Sequence, residues 1–405
     1  MRKLLILAAG LLLLPAVSNA ATLEELLVEK GVITKGEANA AMHTGNAKVY
    51  WNKGTRLEFP DTGFTAKFNT QIQSRYTFTD NESGQNSSSF DMRRVRLQVS
   101  GTALHGEFSY KLQADFVGDS GDGDGRREPD LRDAYLSWHA CDWVDLRMGQ
   151  FKTAVSRQEN TSSAFLQFPD RSVASDTFSQ GRKQGLHAGF QPSESVTLGA
   201  AIFNGESIDR NETNPNTRHT AVVDGRFNIS GDMDPYMEGD IDHTDGTAVN
   251  AGFAYSYSES QSESALLNDP ELHRLSVDGN VKTGGFSLHG EFFWADESQD
   301  LIGGGTAVDG TPIGAYVQAG YFLNDKLELA GRWSMVDCDD GAASLGSCGG
   351  GLLDDVQEVS ASLNYYFWQH YLKAQLGWNN ISEDPIGGGS SVDTNEIIFQ
   401  LSGYM

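Results

Sequence analysis

Residues 64–79 read FTAKFNTQIQSRYTFT, and apolar and polar residues alternate along this stretch. The apolar positions are Phe64, Ala66, Phe68, Ile72, Tyr76 and Phe78, and the polar positions are Lys67, Asn69, Gln71, Gln73, Arg75 and Thr77. Strict alternation is typical of a β-strand with one apolar and one polar face. Since soluble strands average about five to six residues, this strand is long enough to predict a membrane crossing.

The same alternation recurs to the C-terminus, in segments separated by stretches rich in Gly, Asp, Asn and Ser. Sixteen strands are predicted, beginning near residues 64, 90, 107, 130, 143, 180, 194, 218, 248, 271, 285, 312, 326, 354, 371 and 394. Short connections (139–142, 191–193, 283–284, 324–325 and 368–370) alternate with connections of about ten residues or more. Short turns on one side and long loops on the other are typical of outer-membrane barrels, with the short turns in the periplasm.

The pattern therefore predicts an all-β fold, a transmembrane antiparallel β-barrel of sixteen strands with both termini in the periplasm. A soluble β-sandwich also alternates, but its outward face would be charged and its strands shorter. Aromatic residues at the strand ends favour the barrel, since they form interfacial girdles. They are Tyr50, Trp51, Trp138, Trp143, Trp294, Trp333, Tyr365, Tyr366, Phe367, Trp368 and Trp378.

The N-terminal region predicts export and a short periplasmic part. Residues 1–20 carry Arg2 and Lys3, an apolar run and a small-residue end, as a cleaved signal peptide does. Residues 21–50 contain two capping-box patterns, at Thr22 and at Thr34, which predict short periplasmic helices. Residues 51–405 are then the outer-membrane barrel.

Charge and motifs argue against several function classes. Without residues 1–20, 28 basic and 55 acidic residues remain, a net charge of about −27 that argues against a nucleic-acid partner. No protease, hydrolase or P-loop motif predicts an enzyme or a cofactor, and the histidines lack metal-ligand spacing. The carboxylates Asp119, Asp122 and Asp124 are more typical of a solvated loop than of a calcium site.

Cys338 and Cys348 could form one local bridge, which would leave Cys141 unpaired.

Several motifs between residues 64 and 190 resemble one known family. They are Phe90-Asp-Met-Arg93-Arg94-Val-Arg96-Leu with Gly101, Tyr110 with Asp115, Asp133-Ala-Tyr135, Gly149-Gln-Phe-Lys152, Thr161-Ser162-Ser163, Asp170-Arg171-Ser172, and Phe178 with Arg182 and Gly185. This pattern is similar to that of the phosphate-selective porin family (porin O/P type). The resemblance implies a trimer of sixteen-stranded barrels, in which the third loop folds into the lumen and forms a constriction that binds oxyanions.

The resemblance also assigns candidate site residues. Those that match the family's constriction are Arg93, Arg94, Asp115, Ser162, Ser163 and Arg171. Glu159 stands where the family has a lysine of the oxyanion site, which puts phosphate affinity in doubt.

The alternation itself adds to this set. Arg94 and Arg96 fall on the polar face and are predicted to point into the lumen, as are Lys67, Arg75, Lys111 and Asp133. Arg93 has lipid parity, so it either extends to the interface or turns inward through a bulge. Guanidinium groups suit phosphate-like oxygens, because they donate in a planar fork.

The sequence thus predicts a porin of the outer membrane of a Gram-negative-type bacterium, in contact with lipid and lipopolysaccharide, through which small anions diffuse passively. About eleven positive and nine negative residues face the predicted lumen, so a general, weakly selective or cation-tolerant porin is the alternative. A barrel that sheaths a partner protein is a further alternative.

Overall fold

The computed structural model describes residues 47–82, 84–117, 129–205, 217–259, 270–300, 306–339, 352–387 and 389–405, with residues 30, 34, 214 and 348. In this part of the chain the strands are β1 (Lys48–Trp51), β2 (Thr55–Phe59), β3 (Phe64–Asn81), β4 (Ser87–Ala103), β5 (Phe108–Asp115), β6 (Asp130–Cys141), β7 (Val144–Lys152), β8 (Arg182–Ser193), β9 (Val196–Asn204), β10 (His219–Ser230), β11 (Ala248–Glu259), β12 (Glu271–Thr283), β13 (Phe286–Asp300), β14 (Thr306–Gly310), β15 (Ile313–Asn324), β16 (Leu327–Asp337), β17 (Leu353–Trp368), β18 (Leu372–Pro385) and β19 (Val392–Tyr404). Two short helices, α1 (Arg157–Asn160) and α2 (Val173–Phe178), lie between β7 and β8.

Sixteen of these strands form a closed antiparallel barrel. They are β3 to β13 and β15 to β19, each paired with the next. The barrel closes where β19 pairs with β3, for example Gln400 opposite Arg75. Closure leaves no unpaired sheet edge, which a lipid environment requires. The predicted fold is confirmed, and every predicted strand start lies within three residues of the observed one.

The three remaining strands extend the ends of the barrel. β1 and β2 form a hairpin that pairs with the first residues of β3, and β14 pairs with the end of β13. Residues 48–50 are therefore strand, although the sequence placed them at the end of a helical segment. The predicted signal peptide, almost all of the predicted periplasmic helices and the acidic stretch at Asp119 lie outside the described residues.

The two faces of the wall have the predicted character. On β16, Leu329 and Trp333 point outward and are exposed, whereas Glu328 and Arg332 point inward and are buried. This alternation is that of a barrel with an apolar outer band and a polar lumen. Within the described residues, no helix has the length and apolar character needed to cross a membrane.

One connection departs from the predicted alternation of lengths. On the side of the short turns the connections have two to four residues, except for residues 231–247 between β10 and β11. The sequence assigned no short turn at this place, and the segment folds into the lumen and buries Glu238, Asp240 and Ile241. We call residues 231–247 the periplasmic segment, after the side on which the short turns are predicted.

The structure shows which cysteines are bonded to each other, which the sequence left open. Cys338 and Cys348 form a disulfide on the side of the long loops. Cys141 is free and exposed at the end of β6, on the side of the short turns.

This arrangement predicts a labelling pattern that tests the orientation of the barrel. A bulky, membrane-impermeant maleimide should label Cys141 in permeabilised cells and not in intact cells, because the short turns face the periplasm. Cys141→Ser should abolish the labelling, since the other two cysteines are bonded to each other. Equal labelling in intact cells would contradict the orientation.

Candidate functional site

The residues between β7 and β8 fold into the barrel, as the sequence predicted for its third loop. We call residues 153–181 the inner loop. Its two helices begin at serine caps: Ser156 accepts a hydrogen bond from the backbone N–H of Glu159 (3.2 Å), and Ser172 accepts one from Ser175 (3.1 Å). Such caps satisfy amides that have no partner within a helix. Most residues of the inner loop are buried in the lumen.

Lumen-facing side chains hold the backbone of the inner loop. Lys373 donates to the carbonyl oxygen of Leu166 (2.5 Å). Asn364 and Gln375 both donate to the carbonyl oxygen of Gln167, at 2.8 and 3.0 Å. These contacts replace the backbone partners that an irregular segment lacks, since unpaired buried carbonyls are costly.

An apolar cluster fixes the second helix of the inner loop. Ala174 and Phe178 pack against Phe293, Tyr316 and Val336, all of them buried. The rings of Phe178 and Phe293 are stacked, with 5.2 Å between their centroids. Burial of one such ring contributes about 1.5–3 kcal/mol, so α2 is anchored to the wall.

The periplasmic segment meets the inner loop in the middle of the lumen. Glu238 accepts hydrogen bonds from the backbone N–H of Gln167 (2.8 Å) and from the side chain of Gln158 (3.1 Å). Its carboxylate also lies 3.6 Å from the guanidinium of Arg157, and both side chains are fully buried. The two segments together fill the half of the lumen beside β11 to β19.

The charges at this junction stabilise one another. Burial alone would lower the pKa of Arg157, but the acidic groups around it, Tyr316, Glu238 and Asp278 foremost, raise it above its usual value. Burial raises the pKa of Glu238, but Arg157 and hydrogen bonds from the inner loop lower it below its usual value. Both groups are therefore charged at neutral pH, and each depends on the other.

An open cavity remains between the inner loop and the wall from β4 to β8, which we call the basic cavity. Its volume is about 310 Å³. It is lined by five cations and one carboxylate, together with hydroxyl, amide and aromatic groups. The charged lining residues are Arg96, Lys111, Asp133, Arg147, Lys152 and Arg182. The lining therefore has a clear excess of positive charge.

Some of these cations are held by carboxylates. Asp133 is shared by Lys111 (2.8 Å) and Arg182 (2.7 Å). Arg96 pairs with Asp115 at 2.6 Å and donates to the hydroxyl of Ser163 at 3.1 Å. One carboxylate between two cations orients both of them and leaves one positive charge uncompensated.

The other two lining cations lack a close carboxylate partner within the described residues. Arg147 donates to the hydroxyl of Ser137 (3.2 Å), and its guanidinium lies 4.7 Å from the centre of the Tyr135 ring. Within the described residues, no carboxylate lies within 4.0 Å of Arg147. Lys152 donates to the backbone carbonyl of Glu159, whose carboxylate lies 3.9 Å away. These two cations remain able to interact with an anion in the cavity.

A second group of cations surrounds Asp170 of the inner loop. Arg75 pairs with Asp170 at 2.6 Å and Arg93 does so at 3.3 Å. Arg93 is the extra residue of a bulge in β4, which turns it inward and decides between the two orientations that the sequence allowed. Arg94 is buried beside them and donates to Gln73 at 2.8 Å. Two arginines thus share the carboxylate of Asp170, and a third lies buried beside them.

Arg171 and Glu159 pair with each other inside the inner loop. Arg171 lies 3.0 Å from the carboxylate of Glu159 and donates to the carbonyl oxygens of Gln158, Glu159 and Thr161. Neither residue is among those that line the basic cavity. Arg171 therefore fixes the shape of the inner loop.

The predicted site residues fall into separate groups. Arg96, Lys111, Asp133, Ser162 and Ser163 line the basic cavity. Asp115 holds Arg96 in place, whereas Lys67 lies near the start of β3, opposite Arg56 of the β1–β2 hairpin.

Sequence reasoning left Arg147, Lys152 and Arg182 out of the site. Arg147 falls on the lumen-facing positions of its strand, and this signal in the sequence could have added it to the predicted site. The proximity of Lys152 and Arg182 follows from the register of β7 and β8, which places them opposite each other.

Two further cavities continue from the basic cavity toward the side of the short turns. The first, of about 330 Å³, shares Arg147, Phe151, Lys152 and Asn160 with it and is also lined by carboxylates; we call it the mixed cavity. The second, of about 250 Å³, shares part of its lining with the mixed cavity and carries one arginine and three carboxylates. In the described part of the chain, no group of three metal-ligating side chains is arranged to hold a metal ion.

A comparison of the sequence with known families gives a result that agrees with the barrel, the inner loop and the basic cavity. The family model for phosphate-selective porin O and P matches residues 64–377. The chain belongs to this family. Porin family and barrel fold together indicate an outer-membrane channel rather than an enzyme.

Solved structures of other porins share the fold. The outer-membrane channel DcaP of Acinetobacter baumannii superposes with a TM-score of 0.60 at 13% identity, covering 86% of this chain and 99% of that chain. An anion-selective porin from Comamonas acidovorans gives 0.55 at 10% identity, covering 84% and 99%. The trimer form of OmpT of Vibrio cholerae gives 0.54 at 13% identity, covering 84% and 99%.

A relative with higher sequence identity is an uncharacterized protein of Aquifex aeolicus (strain VF5). It is 31% identical over 180 residues, which are 40% of this chain and 41% of that protein. The chain spans about two fifths of the length of this relative.

The pairing of Glu159 predicts acid sensitivity of the inner loop. Burial would raise the pKa of Glu159, but Arg171 and Lys152 lower it from 4.5 to about 2. The pair therefore stabilises the folded loop fully above pH 4.5, by up to about 3 kcal/mol, and this stabilisation is lost as the pH falls toward 2. Hydrogen-exchange protection of residues 157–171 should fall over this range, and Glu159→Gln should remove most of that dependence. The same pH dependence in the variant would contradict the assignment.

The junction of the two lumen segments predicts an effect on conductance. Glu238→Ala leaves the buried charge of Arg157 without its closest carboxylate, and breaking such a pair costs about 3–5 kcal/mol. Single-channel recordings should show a higher and noisier conductance than the wild type. Asp245→Ala, at an exposed position of the same segment, is the control and should leave the conductance unchanged. An unaltered trace for Glu238→Ala would show that the junction does not restrict the pore.

Proposed function

We propose that this channel passes small anions by passive diffusion and selects phosphate-like oxyanions. The observation that carries the proposal is the lining of the basic cavity, with five cations against one carboxylate at the place where the inner loop narrows the barrel. Selectivity depends on the field at the constriction, and a low-dielectric wall strengthens that field.

The residues suggest a sequence of contacts for the anion. The arginines around Asp170 lie next to the basic cavity along the wall. Arg94 belongs to the first group and Arg96 to the second, and the two residues lie on the same face of β4, about 7 Å apart. An oxyanion would pass from this group to Arg96, Lys111 and Arg182. The hydroxyls of Ser162 and Ser163 would replace part of its hydration shell. Asp115 and Asp133 would keep the cations oriented and weaken binding enough for release.

Glu159 modifies this proposal. Its carboxylate faces Arg171 and Lys152, so it takes up part of the charge that a lysine at this position would add. We infer that the site binds oxyanions less tightly than one with a lysine there.

A general, weakly selective porin is the second candidate function. The observation that favours it is the series of carboxylates below the basic cavity, at Asp145, Asp224, Glu194 and Asp278. These groups oppose the passage of simple anions. A sheath for a partner protein is disfavoured, since the inner loop and the periplasmic segment occupy the bore that a partner would need.

We further propose that three copies assemble, as in the trimer form of OmpT, in contact with outer-membrane lipid and lipopolysaccharide. Residues 1–20 would be removed as a signal peptide, and residues 21–47 would precede the β1–β2 hairpin in the periplasm. The solutes are small anions, and the composition argues against nucleic acid as a partner.

Planar-bilayer recordings test the selectivity. In a KCl gradient the reversal potential should show anion preference, and added phosphate should block the current. Lys111→Gln with Arg182→Gln should shift the reversal potential toward zero and weaken the block about tenfold, since each removes a charge-assisted hydrogen bond.

Lys326→Gln, at an exposed turn on the outside of the pore, is the matched control and should behave as the wild type. A wild-type current that is unselective and insensitive to phosphate would favour the general porin.

A further inference from the structure

The mixed cavity contains a row of residues that crosses four strands. Asp145 of β7 lies opposite Gly189 of β8, Gly189 lies opposite Gly199 of β9, and Gly199 lies opposite Asp224 of β10. Two glycines are therefore flanked by two aspartates at one level of the lumen wall. On the next level toward the long loops, Arg147 lies opposite His187.

The glycines make room for the two carboxylates. A Cβ atom at Gly189 would lie 2.2 Å from Oδ1 of Asp145, and one at Gly199 would lie 2.4 Å from Oδ1 of Asp224. Each carboxylate thus leans over the neighbouring glycine, toward the other. Since paired strands are about 5 Å apart, the two carboxylates converge on the space in front of the glycines. The imidazole of His187 enters the same space, with Nε2 2.7 Å from where a Cβ of Gly199 would lie.

Polar atoms at this place lack partners within the described residues. Oδ1 of Asp224 and Nδ1 of His187 are buried and accept or donate no hydrogen bond. Nε2 of His187 lies 3.8 Å from Oδ1 of Asp224, and no basic side chain of the described part lies within 4.0 Å of Asp145. Buried polar atoms are normally satisfied, so these point to a ligand group that completes the site.

The opposite side of the same cavity is positive. Arg147 and Lys152 line it, and Phe151 and Phe203 add an apolar surface between the two charged sides. On one face of β7, Asp145 and Arg147 are two residues apart, so their Cα atoms are separated by about 7 Å. The cavity therefore presents two cations and two carboxylates across a distance that a short, flexible molecule spans.

We propose that the mixed cavity binds zwitterionic solutes, with the anionic group at Arg147 and Lys152 and a primary ammonium group between Asp145 and Asp224. The inference rests on the proposed function, because the solute reaches this site through the basic cavity. A simple anion meets favourable charges at one end and repulsion at the other. An ω-amino acid whose charges are about 5–6 Å apart meets favourable charges at both ends.

Three probes with the same four-carbon chain separate these cases in single-channel recordings. They are 4-aminobutyrate, butyrate and butylammonium, each added at equal concentration, with block of the current as the measurement. We expect 4-aminobutyrate to block the wild type at an about fivefold lower concentration than either of the others, which is the effect of one partly exposed ion pair.

The decisive variant is Asp145→Asn with Asp224→Asn, which keeps the side-chain shapes and removes the charges. The preference for 4-aminobutyrate over butyrate should then disappear, while butyrate blocks as well as or better than before. Asp61→Asn with Asp142→Asn, at exposed turns, is the matched control and should retain the preference. If the double variant fails to insert, Asp224→Asn alone should reduce the preference.

Equal block by 4-aminobutyrate and butyrate in the wild type, or a preference that survives in the double variant, overturns this inference. The proposed function fails separately. An unselective KCl current and no phosphate block would refute it, even if the preference for 4-aminobutyrate were present and lost in Asp145→Asn with Asp224→Asn.

Discussion

The pore depends on the hydrogen bonds between the backbone of the inner loop and the side chains of the wall. Residues 153–181 contain two helices of four and six residues, so most of their backbone groups have no partner within a helix or sheet. Besides Glu238 of the periplasmic segment, the wall of the closed barrel supplies such partners. Lys373, Asn364 and Gln375 do so. The polar lumen of β11 to β19 is therefore a structural requirement as much as a transport surface.

The position of the pore follows from this packing. Because the inner loop and the periplasmic segment fill much of the side of β11 to β19, solutes are left with the side of β4 to β10 and the adjoining part of β11 and β12, where Asp278 lines the second cavity. Cations on the filled side serve structure: Arg332, for example, pairs with Glu358 and donates to the carbonyl oxygen of Asp170. Cations on the open side, such as Arg147, keep capacity for a ligand.

Alternation of residues was enough to predict the barrel, because a one-residue change of register would turn a whole polar face into lipid. The site was less predictable. Parity predicted that Arg94 and Arg96 face the lumen, but only Arg96 reaches the basic cavity, whereas Arg94 is buried. Arg171 was indistinguishable from a ligand-binding arginine in sequence, since its partners are backbone carbonyls of a loop. The periplasmic segment was missed because an acidic stretch normally indicates a solvated loop.

Net charge and local charge have opposite signs in this protein, and distance explains why. The whole chain carries a charge of −25, yet the basic cavity is positive. Exposed charges are screened over about 8–10 Å at physiological salt, whereas charges within the constriction act at contact. Carboxylates therefore influence a passing anion only where they reach the lumen. Asp133 reaches the lumen between two cations. Asp145 and Asp224 reach it without a comparable partner, so the sign of the electrostatic field reverses between the basic cavity and the mixed cavity.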